Sequence, residues 1–119
     1  MNKIIARLTK KANNLTEEQE KFIQECKESG KFDYEQMEEI REGFENGLSL
    51  EQVKTFANPN FSSSQMWRIK KGFENGLTID QVKVYADPKF DNHQMEEIRK
   101  GFEDGLTMEE IRNKYKIWI

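Results

Sequence analysis

Apolar residues recur along this chain in two rhythms at once. Within short stretches they fall three and four apart: Met37, Ile40 and Phe44 stand at i, i+3 and i+7, one face of an α-helix. Over longer stretches they return every 29 residues. Phe32, Phe61 and Phe90 keep that spacing, as do Met37, Met66 and Met95, then Ile40, Ile69 and Ile98, then Phe44, Phe73 and Phe102. The set Gly47, Gly76, Gly105 stays in register without a gap, followed each time by Leu48, Leu77 or Leu106. A fixed period of this size predicts stacked supersecondary units, each too small to bury its apolar face alone.

Each unit predicts two helices. The first opens at Asp33, Ser62 or Asp91, with a Gln three residues on (Gln36, Gln65, Gln94) able to reach back to the cap amide. The second opens with the same capping-box logic at Ser49, Thr78 or Thr107, and its apolar face holds Leu50, Val53, Phe56 and Ala57, or Ile79, Val82, Tyr85 and Ala86 in the middle unit. Pro59 and Pro88 end it, because proline disfavours helix in the residue before it. Between the two helices, Gly47 and its counterparts supply the left-handed residue that lets the chain turn. Gly43, Gly72 and Gly101 lie inside the first helix, where glycine costs ~1 kcal/mol relative to alanine; close approach of a neighbouring helix is expected there.

The ends differ from the units. Residues 3–12 predict a short basic helix with Ile4, Ile5 and Leu8 inward. Thr16 caps a second helix carrying Phe22, Ile23 and Cys26, which stops near Gly30. At the far end Tyr115, Ile117, Trp118 and Ile119 replace the usual Ala-Asp-Pro-Lys-Phe, and Ile119 falls where the next Phe of the register would stand. The expected fold is all-α: about eight short helices in one domain over 1–119. An N-terminal helical pair or cap (1–31) precedes three tandem two-helix repeats (32–60, 61–89 and 90–119), solenoid-like or bundled.

Composition adds three constraints. Charged residues make up 34% of the chain and 13 residues are aromatic, which suits a thin core buried one stripe per layer. Cys26 is alone, so no internal disulfide forms, and neither a signal peptide nor a run of ~20 apolar residues is present; a cytoplasmic location is expected. The net charge of -3 conceals blocks of +4 (1–14), -8 (15–51), +3 (52–89) and -2 (90–119), a field that can orient a charged partner.

The unit, with its Gln-Met, Ile-Arg, Gly-Phe-Glu and Gly-Leu-Thr positions, resembles a tandem repeat of uncharacterised small proteins from Gram-positive bacteria and their mobile elements. The resemblance covers 32–119 and implies a host-interaction protein or an inhibitor of a host defence nuclease, of the anti-CRISPR kind. Residues Gly47 to Ala57 followed by Ser62 to Gly72 are also similar to a recombinase-type helix-turn-helix, which implies DNA or RNA binding with the second stretch as recognition helix.

Function is expected where the units disagree. The middle unit reads Met66-Trp67-Arg68-Ile69-Lys70-Lys71, and the slot of Trp67 holds Glu38 and Glu96 in its neighbours. An indole beside a guanidinium has the composition of an interface hot spot. Trp67, Arg68, Lys70 and Lys71, with Ser63 and Ser64, are therefore the expected contact residues for a protein partner, or for phosphates in the nucleic-acid alternative. Glu35, Glu38, Glu39, Glu42 and Glu45 form a second expected surface, an acidic face able to imitate a phosphate strand. No catalytic, metal, cofactor or small-molecule site is expected. His93 is the sole histidine and stands in a capping segment, Cys26 sits on the apolar side of its helix, and no nucleophile or zinc motif occurs.

Overall fold

The structure, a computed structural model, describes residues 15–117. The basic helix expected over 3–12 lies outside the described residues, as do Trp118 and Ile119. The described residues form seven helices and no strand: α1 (Glu17–Ser29), α2 (Tyr34–Glu45), α3 (Leu50–Phe56), α4 (Ser63–Glu74), α5 (Ile79–Tyr85), α6 (Asn92–Glu103) and α7 (Met108–Tyr115).

All seven open on a complete capping box. Thr16, Asp33, Ser49, Ser62, Thr78, Asp91 and Thr107 accept from the amide three residues on, and the Gln or Glu there accepts from the cap amide. Each box satisfies two of the donors that a helix start leaves without partners. The long helices α2, α4 and α6 end alike. In the first, Gly47 N–H donates to the Phe44 carbonyl and Leu48 N–H to the Gly43 carbonyl, both at 3.0 Å, with Gly47 at φ 96°. This is a Schellman turn, which needs the left-handed residue and folds the following leucine back on the helix.

The long helices α2, α4 and α6 pack side by side in that order. The short helices α3, α5 and α7 form a second layer, with α3 against α2 and α4, α5 against α4 and α6, and α7 against α6; α1 covers α2 at one end. Between the layers lie Met37, Ile40, Phe44 and Val53 with their register mates, and Phe56 with Tyr85, most of them fully buried. Each such side chain contributes ~1.5–3 kcal/mol of apolar burial. The close approach expected at the helix-interior glycines is present. A Cβ on Gly43 would stand 2.9 Å from Phe56 Cζ, and one on Gly72 would overlap the Tyr85 hydroxyl.

Side chains tie each sequence unit to the next. Having accepted from its cap with Oε1, Gln36 donates through Nε2 to the Phe61 carbonyl (2.7 Å) and the Pro59 carbonyl (3.2 Å). Gln65 does the same to Phe90 and Pro88. Asn46 Nδ2 donates to Glu74 (2.8 Å), and Asn75 to Glu103 (2.9 Å). Position 104, where the motif changes from Gly-Phe-Glu-Asn to Gly-Phe-Glu-Asp, carries a carboxylate that cannot donate such a bond. At the far end Ile117 is buried, and the Tyr115 hydroxyl donates to the Glu97 carbonyl (3.1 Å).

Candidate functional site

Helix α4 brings the expected contact residues onto one element and gives them different fates. Ser64, Trp67 and Lys71 stand at i, i+3 and i+7, so they share one face. Ser64 is exposed, while Ser63, Trp67, Arg68 and Lys71 are half-buried. The Trp67 ring carries two cations, with Arg68 Cζ 5.0 Å and Lys71 Nζ 5.4 Å from its centroid. Both fall inside the ~6 Å reach of a cation–π contact.

Lys70 is no surface residue. It is 3% exposed, and its ammonium lies 2.8 Å from both Glu39 and Glu42 of α2. Burial works to lower its pKa, but the hydrogen bonds to these carboxylates outweigh burial and leave it raised. Lys70 therefore stays charged and joins α4 to α2; it does not face a visitor.

Arg68 is likewise engaged, 2.8 Å from Glu96 of α6. Glu96 also meets Arg99 (3.3 Å) and Lys100 (3.4 Å). Burial works to raise the Glu96 pKa, but these cations, the Arg99 hydrogen bond foremost, hold it lowered. Lys71 reaches Glu74 on its own helix at 3.5 Å. Lys70, whose slot holds Arg41 and Arg99 in the neighbouring helices, answers Glu39 and Glu42 on one side, and Arg68, in a slot held by Glu39 and Glu97, answers Glu96 on the other. At the second boundary the slots of Glu39 and Glu42 hold Arg68 and Lys71. Arg99 turns instead to Glu103 of its own helix at 2.8 Å. Charges arranged this way discriminate among otherwise similar neighbours and oppose stacking in the wrong order.

The acidic face is divided in the same manner. Glu39 and Glu42 serve Lys70, Glu35 is exposed, and Glu38 and Glu45 are half-buried. Sequence reading passed over Tyr34, which is 73% exposed at the start of α2. A hydrogen bond to Glu38 leads the causes that raise its hydroxyl pKa. Its register mates are Ser63 and Asn92, so the mismatch in residue type was the available signal.

Among the described residues no group of three His, Cys, Asp or Glu side chains is placed to hold a metal ion. His93 is exposed in the first turn of α6. Cys26 is buried, and burial, with Glu25 beside it, raises its thiol pKa away from the reactive thiolate. No helix among the described residues is long and apolar enough to cross a membrane. No protein-family profile, curated protein or solved structure matches the chain.

Proposed function

We propose that this chain is a tandem stack of three two-helix repeats that binds a protein partner without catalysis, through the strip of α4 formed by Ser64, Trp67 and Lys71 with the edge of Arg68. The observation that carries this is the state of the cations around Trp67. Arg68, Lys70 and Lys71 each have a carboxylate within 4 Å. What distinguishes the strip is then a half-buried indole, in contact with two cations, in a slot that is glutamate in both neighbouring units. A large aromatic ordered before contact loses little conformational freedom on binding, which is how hot-spot residues act.

The helix-turn-helix alternative is less well served. Phosphate binding draws on cations free to replace counterions, and those of α4 are paired. Helix α4 is also flanked by α2 and α6, whereas a major groove ~12 Å wide admits one helix. In its most concrete form the proposal is a mobile-element-encoded inhibitor of a host defence nuclease. The exposed Glu35 and the half-buried Glu38, with Tyr34, would then meet a basic groove on the target. That form rests on the resemblance of the repeat.

The test is capture from host lysate with wild-type protein and the Trp67→Ala variant, matched in thermal stability. Loss of the captured protein with the variant, at both low and high salt, supports the proposal. Equal capture by both removes Trp67 from the interface. A salt-sensitive gel shift lost on Arg68→Ala and Lys71→Ala would favour the nucleic-acid alternative.

A further inference from the structure

Helix α1 packs on α2 as α3 packs on α4 and α5 on α6, so it takes a place in the second layer. Among the described residues that layer has four members against three long helices, and α1 has no long helix before it. The corresponding edge lies on α2. Each long helix turns a stripe at i, i+3 and i+7 toward the long helix before it. On α6 the stripe is Glu96, Arg99 and Glu103, and its two glutamates contact α4. On α4, Lys70 and Glu74 hold the second and third positions and contact α2. On α2 the same register gives Glu38, Arg41 and Glu45, which face no long helix among the described residues. Exposure follows the difference. Arg41 is half-buried where Lys70 and Arg99 are buried, and Tyr34, at the head of the stripe, is 73% exposed where its mates Ser63 and Asn92 are half-buried.

This open edge of α2 repeats the covered edge of α6, with Glu, Arg and Glu at the same spacing. What covers α6 is the far side of α4, where Arg68 pairs with Glu96 (2.8 Å) and Asn75 donates to Glu103 (2.9 Å), with Lys71 between them in sequence. The series Arg, Lys, Asn at i, i+3 and i+7 occurs once more in the chain, at Arg7, Lys10 and Asn14. Beside it, Ile5, Leu8 and Ala12 keep the spacing of Met66, Ile69 and Phe73, and Leu15-Thr16 then repeats Leu77-Thr78 after one residue fewer. We propose that residues 1–14 of this chain dock along the open edge of α2 as a fourth long helix, with Arg7 on Glu38 and Asn14 on Glu45. The tether fits, because the segment runs directly into Leu15 and α1, and in every other unit a long helix precedes its short partner. Its 14 residues exceed the 12 of each of α2, α4 and α6. Charge fits as well: the segment has four bases and no acid, and residues 15–51 carry a net charge of -8. A stack end left open exposes a face made for a neighbour, which a terminal element ordinarily covers. The docked segment covers Tyr34 and Glu38, so a basic target engaging them must first displace it.

The test is backbone hydrogen exchange of the full chain, read over residues 5–12. Exchange there is expected to be at least tenfold slower in the wild type than in Leu8→Asp, with α2 to α7 equally protected in both. Arg7→Glu and Glu38→Arg should each speed it at least threefold. Combined, they should restore at least half of the lost protection, because the pair re-forms with its signs exchanged. Trp67→Ala should leave this exchange unchanged, so failure here and failure of the α4 interface are distinguishable. Equal exchange in the wild type and Leu8→Asp, or no rescue by the double reversal, would overturn the proposal. So would protection lost on dilution as the chain passes from dimer to monomer, which would make a second copy the source of the docked segment.

Discussion

Replacing Lys70 tests whether its buried ammonium holds α4 to α2. Its ammonium sits 2.8 Å from two carboxylates of α2 and is 3% exposed. Unit charges about 4 Å apart attract by ~4 kcal/mol at an effective dielectric near 20. Desolvation offsets much of that attraction in the folded state. Removing one partner of a buried pair nevertheless costs about 3–5 kcal/mol, because the charge left behind stays desolvated. Here the orphaned carboxylates differ: the Glu39 side chain is 17% exposed and that of Glu42 is 48%. Glu42 can rehydrate, so the expected loss for Lys70→Ala is smaller, about 2–3 kcal/mol. Lys70→Met keeps most of the aliphatic stem against the core and should lose only about 1–2 kcal/mol.

Urea unfolding at neutral pH measures both variants, with an unchanged slope confirming that the same surface is exposed. Double-mutant cycles should couple Lys70 more strongly to Glu39 than to Glu42, since the pair further from water is less screened. Against a typical total of about 5–15 kcal/mol these losses are large. If Lys70→Ala lost under about 0.5 kcal/mol, the level of an ordinary surface substitution, the ammonium would not be holding α4 to α2.

The Tyr85 hydroxyl is buried without a hydrogen-bond partner, and its register mate is Phe56, so Tyr85→Phe should stabilise the fold by about 1 kcal/mol in thermal or urea melts. Gly72→Ala should destabilise by about 2 kcal/mol, because the new methyl meets that hydroxyl, and by less when combined with Tyr85→Phe. Glu96 has a folded-state pKa below its ordinary 4.5, so its contribution is present above that value and is lost as pH falls through the folded-state pKa; thermal melts across acidic pH should show a shallower loss of stability in Glu96→Gln than in wild type.

The helices themselves were legible because their signals are local. Every capping box spans four residues, and each glycine turn is closed by amides and carbonyls within five residues. The buried face was legible for a similar reason, since a side chain's direction on a helix follows from its register. The candidate site divides along the same line. Sequence placed Trp67, Arg68 and Lys71 together on α4, but it treated every departure from the shared pattern as a surface feature. Tertiary packing separated them: Arg68 stands where its mates are Glu39 and Glu97 and meets Glu96, whereas Lys70 keeps the cation of its mates Arg41 and Arg99 and is buried against Glu42, each contact 28 residues apart in sequence. The sequence by itself determined where each helix starts, stops and turns its apolar side, because interactions among near neighbours in the chain decide those things. Which charge meets which carboxylate was decided only by the tertiary structure, because those contacts form after burial summed over the whole chain has chosen which helices lie side by side.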